Sequence, residues 1–167
     1  MPDDELEKTA YHEAGHVVMA IQLGGTVSHA SLEPPDDDGP GRFGETITRW
    51  PTQPDRKLAY AELCVSMAGP AAEMIHAGET VGLADLPEWR VDYRQAVKAV
   101  ARLSDQKEEF PRILAGAMAS IKEFIESDRG WAAVAAVADL LLAHGTVEHD
   151  SCLEVTDFWL NSNPALE

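Results

Sequence analysis

Two histidines four residues apart, with a glutamate beside the first, form His12-Glu13-Ala14-Gly15-His16, the part of this 167-residue sequence best equipped for chemistry. On a helix, residues at i and i+4 share a face, so the two imidazoles aim at one spot about a turn apart. That spacing offers two nitrogen ligands to a tetrahedral Zn²⁺. Glu13 sits too close to the first ligand to chelate along with both histidines, but it can reach a water at the metal's open position. As a general base it would take that water's proton, whose pKa the metal lowers to about 7, and pass it to a departing amine. Gly15 costs a helix about 1 kcal/mol relative to alanine, so its presence points to a packing or site requirement. The expected chemistry is zinc-dependent hydrolysis of peptide bonds, with His12 and His16 on the metal and Glu13 as base.

A catalytic zinc needs a third protein ligand. The extended pattern that would supply it three residues beyond a glycine fails, because Met19 and Gln22 occupy the glycine and histidine positions. The third ligand must come from elsewhere, and spacing leaves Glu73, His76, Asp85 and Asp92 open. Glu73 and Asp92 fall on expected helices, which hold a ligand more firmly than the loop around Asp85. His29, His76, His144 and His149 are unpaired in sequence and read as ordinary surface or cap residues. Trp131 and Trp159 read as packing anchors, whereas Trp50 and Trp89 lie in expected loops and could line a substrate groove.

The elements that must position these groups follow from periodicity. A first helix over 4–23 opens near the caps Asp3 and Asp4 and stops at Gly24-Gly25, with Ala10, Ala14, Val17, Val18 and Ile21 on its core face. Residues 26–50 carry a small β element, Thr26 to Glu33 and Phe43 to Trp50, with Ile47 on the inner face and the acidic loop Asp36-Asp37-Asp38-Gly39 between them. The remainder, 55–160, reads as helical. Leu58, Val65, Ala68, Ala72 and Ile75 mark one helix, in which Gly69-Pro70 predicts a kink or break. Asp92 to Leu103 follows after a loop from Gly78 to Trp89. Pro111 suits the first turn of the next helix; Trp131 to Ala143 is closed by Gly145, and Asp150 to Leu160 is last. The expected fold is one mainly α domain over 1–167 with a small β-hairpin or sheet beside the active-site cleft.

Composition narrows the partners. A formal net charge of −16 excludes a general nucleic-acid binder, which needs a basic face, and argues against docking on anionic lipid. The longest apolar run, Trp131 to Ala143, is interrupted by Asp139 and too short to span a bilayer. The start, Met-Pro-Asp-Asp-Glu, lacks the pattern of a signal peptide. Cys64 and Cys152 form no CxxC pair, so neither a disulfide framework nor a cysteine metal site is implied, and a cytoplasmic location is expected.

The residues Thr9-Ala10-Tyr11-His12-Glu13-Ala14-Gly15-His16-Val17-Val18 resemble the zinc helix of the FtsH-type peptidases, the M41 family of membrane-bound, ATP-dependent zinc metalloproteases. Met67-Ala68-Gly69-Pro70-Ala71-Ala72-Glu73 resembles that family's small-residue helix, and Gly41 to Thr48 its substrate-side strand. The run from Asp92 to Arg102 is similar to the helix that opens with the family's aspartate ligand, and Ala143 to Leu153 to its closing segment. The resemblance implies His12, His16 and Asp92 as zinc ligands, Glu13 as catalytic base, and an outer or structural role for Glu73. It also marks departures. Pro70 stands where the family has a charged residue, Val91 where it has asparagine, and no Gly-Lys pair is present for a P-loop. The expectation is therefore a peptidase without its own ATPase or transmembrane helices, acting on polypeptide or small peptides. A separate ATPase or adaptor would be a possible partner, and a monomer or small oligomer the assembly. Two other readings remain: a zinc-stabilised binding or regulatory module that has lost turnover, and a zinc hydrolase of non-peptidic substrates.

Overall fold

A computed structural model describes residues 3–33, 44–51, 55–82, 85 and 89–161. The chain is mainly helical. Helix α1 spans Asp3–Gln22, strand β1 Thr26–Ser31, strand β2 Glu45–Arg49, helix α2 Arg56–Ala77 and helix α3 Arg90–Leu103. A 3₁₀ turn, Lys107–Glu109, leads into helix α4 (Phe110–Glu126), followed by α5 (Asp128–His144), strand β3 (Thr146–Val147) and helix α6 (His149–Asn161). The three strands form one antiparallel sheet in the order β2-β1-β3.

Helix α1 is the axis of the fold. Asp3, Asp4 and Glu5 occupy its first turn, where carboxylates oppose the helix dipole. It ends at Gly24, whose φ of +85° suits a residue without Cβ. Ala10, Ala14, Val17 and Val18 are fully buried, as the helical stripe predicts. Burial reaches further round the helix than that stripe, taking in Thr9, Glu13 and His16. The reason is that α1 is packed on two sides, against α2 and α5, with the sheet along its flank.

Helix α2 is capped by Asp55, whose carboxylate accepts the Leu58 N–H at 2.8 Å, and closes on Gly78 in the left-handed region. It runs through Gly69-Pro70 as one helix, so the break expected there is absent. Pro70 has no N–H for the Ser66 carbonyl. Both residues are buried, and α1, α3 and α4 packed on α2 hold it together across the lost bond. Strand β2 departs from expectation in its facing. Thr46 turns toward α1, so its neighbour Ile47 turns the other way and is 38 % exposed instead of core-facing. The expected strand start at Phe43 and the acidic loop 36–39 lie outside the described residues. Strand β3 has no counterpart in the sequence reading; two residues after Gly145 are too few to show alternation.

Side chains from all six helices, β1 and β3 meet in one core. Cys64 and Cys152 are free thiols buried in it, and burial pushes Cys152 up to about 11, so it behaves as a small apolar side chain. No described helix is long and apolar enough to cross a membrane.

The tightest point is the crossing of α1 and α2. A Cβ on Gly15 would lie 2.3 Å from the Ala68 carbonyl oxygen and 2.8 Å from the Ala72 Cβ. An ordinary helical glycine gains about 1 kcal/mol when replaced by alanine. Gly15→Ala is expected to do the opposite, lowering stability by about 1–3 kcal/mol through overpacking; a thermal melt that rises or stays level would contradict this.

Candidate metal centre and its cleft

The α1–α2 crossing positions the histidines. A Cβ on Gly69 would stand 2.3 Å from His16 Nε2, so the bare backbone of α2 is the floor on which the His16 ring lies. The ring is fixed at its other nitrogen, where Nδ1–H donates to the Val65 carbonyl at 2.7 Å. This leaves Nε2 directed at His12, whose own Nε2 is 3.1 Å away. His12 is held in the same manner. Its Nδ1 lies 2.8 Å from Glu73 Oε2, which also accepts the Trp89 indole N–H at 2.7 Å. Both rings thus present Nε2 inward and spend Nδ1 on an orienting acceptor, the arrangement that fixes metal-binding imidazoles.

Asp92, in the first turn of α3, completes the cluster. Its Oδ2 is 3.0 Å from His12 Nε2 and its Oδ1 3.4 Å from His16 Nε2. Three donors around a small ion at bond lengths of about 2.0–2.1 Å should stand about 3.3 Å apart in a tetrahedron. The His12–His16 separation of 3.1 Å is close to that figure, and Asp92 approaches His12 with Oδ2 at 3.0 Å and His16 with Oδ1 at 3.4 Å. With one ligand atom from each residue the three lie within 4.8 Å of one another, so His12, His16 and Asp92 could hold a metal ion. Two imidazoles and a carboxylate are a donor set suited to zinc.

The other residues open from spacing are elsewhere. Glu73 backs His12 from outside the cluster. His76 stacks on Tyr11, ring centroids 3.8 Å apart, and lies 3.6 Å from Glu7. Asp85 sits in a turn with Gly82. His149 Nδ1 accepts the Val27 N–H, a structural role. Trp131 packs on Tyr11 at 5.3 Å, and Trp159 packs against the core. Trp50 lines the cleft, but Trp89 does not: it is 2 % exposed and anchors Glu73. Its role was missed because loop composition carries no sign that an indole will point inward.

Glu13 is buried beside the cluster. Its Oε2 accepts the Thr46 hydroxyl at 2.6 Å. Gly44, at φ +90°, brings its backbone so near that a Cβ would be 2.6 Å from Glu13 Oε1; only glycine meets both demands. Burial pushes the Glu13 carboxyl above the usual carboxylate range, with His12, His16 and Thr46 pulling against it. For Asp92, burial acts upward, but the two imidazoles win and hold it well below its ordinary value. For His12, burial acts downward, yet its bonds to Asp92 and Glu73 hold it well above.

Over the cluster opens a cleft of about 750 Å³, walled by α1, α2, α3 and β2. Thr46, Ile47 and Thr48 all line it. Consecutive strand residues point to opposite faces, so the strand meets the cleft along its edge. Among the described residues β2 pairs only with β1, which leaves that outer edge with free backbone donors and acceptors.

No protein-family model matches the chain, and no curated protein matches it in a sequence search.

Metal titration tests the centre. Wild type should take up one ion per chain, and Asp92→Ala should lose stoichiometric binding. Glu73→Ala, which removes only the support behind His12, should weaken affinity about 10–100-fold. Uptake requires neutral His12, so binding should release protons, and affinity should fall as pH drops through its raised pKa. Equal affinity in all three proteins, or no pH dependence, would contradict the assignment.

Proposed function

We propose that this chain is a zinc-dependent metallopeptidase in which His12, His16 and Asp92 hold the ion and Glu13 is the general base. The single observation that supports it best is the convergence of three metal-capable donors with a buried, raised carboxylate in an open cleft. It agrees with the resemblance of the His12–His16 segment to the FtsH-type peptidases. A bound Zn²⁺ supplies Lewis acidity, polarising a carbonyl and making water nucleophilic near neutral pH.

The chain's own groups supply the rest. Extended polypeptide can dock as an added strand on the free edge of β2, which places a scissile carbonyl above the histidine pair. Glu13 takes a proton from the attacking water on one carboxylate oxygen and delivers it to the leaving amine nitrogen. A carboxyl raised by burial suits both halves of that transfer, because it binds a proton more readily than an exposed glutamate and still releases it. Thr46 fixes one oxygen of Glu13 by its hydroxyl, limiting the carboxylate to one rotamer. Glu73 and Trp89 keep the His12 ring from turning.

Cleavage of an unfolded polypeptide such as casein is expected from the zinc-loaded protein and should stop on chelation. Glu13→Gln should retain zinc while kcat/KM falls about 10²–10⁴-fold; undiminished cleavage by that variant would sink the proposal. Zinc retention with large thermal stabilisation but no cleavage of any peptide would instead favour a binding module. Hydrolysis confined to small esters or amides would favour a non-peptidic hydrolase.

A further inference from the structure

Charge in the cleft is unevenly compensated. Its carboxylates each have a partner: Glu13 on Thr46, Glu73 and Asp92 on the histidines, Glu62 on Arg102, and Glu5 within 4.0 Å of Lys8. Two of its three cations are committed as well. Lys8 lies 3.8 Å from Asp4 besides its contact with Glu5, and Arg102 is paired with Glu62 across α2 and α3. Lys98 is the exception. It lines the cleft from the exposed side of α3 and has no ion pair or hydrogen bond among the described residues. In a chain of net charge −16, an uncommitted ammonium in the cleft is a point of opposite sign open to an anionic group.

Its place along the cleft is set by α3. Asp92 and Lys98 are six residues apart, and a helix rises about 1.5 Å per residue, so the Lys98 stem starts about 9 Å along the α3 axis from Asp92. An extended peptide advances about 3.3 Å per residue. A peptide running along that wall would pass Lys98 about two or three residues from the bond to be cut.

We propose that Lys98 is a specificity-determining residue that selects peptides carrying a carboxylate two or three residues from the scissile bond. The carboxylate is an aspartate or glutamate side chain or the peptide's own C-terminus. The inference rests on the peptidase reading of the cleft for its register, while the recognition itself is a binding property.

The test uses fluorescent peptides with Glu, Gln or Lys scanned along the sequence, each with a free or amidated C-terminus. Cleavage is read as kcat/KM with wild type, Lys98→Met and Lys98→Glu. Affinity is read separately by fluorescence anisotropy on zinc-loaded Glu13→Gln with and without the Lys98 substitutions. Wild type should prefer acidic peptides, Lys98→Met should lose the preference, and Lys98→Glu should disfavour them about tenfold relative to wild type. The effect should shrink in high salt. Loss of the preference on amidation assigns the terminal carboxylate; its persistence assigns the side chain. Cleavage or binding with a ranking unchanged by either substitution overturns the role of Lys98 and leaves peptide hydrolysis standing. Lys98-dependent binding of acidic peptides with no cleavage overturns hydrolysis and leaves the recognition standing. Absence of both overturns both.

Discussion

Where α1 crosses α2, two backbones approach with almost nothing between them, and the geometry of the site descends from that contact. Gly15 on α1 faces the Ala68 carbonyl, and Gly69 on α2 faces the His16 ring. Any larger residue at either position would hold the helices apart or tip the imidazole off its floor. Because the approach is so close, His16 Nδ1 can reach the Val65 carbonyl and Glu73 can reach His12. The two α2 groups then set the tautomer and aim of both rings. The close approach of the two backbones is thereby converted into the direction of two donor atoms.

Around those donors the charges are organised as a mutual dependence. Asp92, Glu73 and Glu13 are carboxylates taken largely out of water, which is costly unless each is paired or hydrogen-bonded. Asp92 and Glu73 meet that cost through the imidazoles, and Glu13 through Thr46 and a position near both rings. The same pairing raises His12 and lowers Asp92. Proton and metal ion thus compete for one imidazole nitrogen, the ordinary coupling of metal binding to titration. Glu13 differs from Asp92 in that burial outweighs its partners, which raises one carboxyl and lowers the other.

Much of this was legible in the sequence, and what was not has identifiable causes. The i, i+4 histidines fix their own geometry once a helix is granted, and the mainly helical fold with a small sheet follows from periodicity and turn residues. Asp92 could not be separated from Glu73, His76 and Asp85 by spacing, because which distant element meets α1 is decided by packing. The resemblance to the FtsH-type peptidases pointed to Asp92, and the packing places it against both imidazoles. Pro70 predicted a kink or a break, and the surrounding helices override the break. Ile47 was assigned to the wrong face because alternation in a five-residue strand is fixed only up to a one-residue phase. Trp89 read as a loop residue that could line the groove, whereas its indole turns inward to hold the carboxylate that holds His12. Short strands and loops encode their partners weakly; long periodic helices encode theirs well.

The central claim is that two imidazoles and one carboxylate hold a zinc ion with a position left open beside Glu13. Anomalous diffraction at the zinc edge from crystals of the zinc-loaded protein tests it most directly. A single strong peak bounded by His12 Nε2, His16 Nε2 and the Asp92 carboxylate, open toward Glu13 and the cleft, is the predicted result. No peak at that point, or one enclosed by four protein ligands as in a structural site, would contradict it.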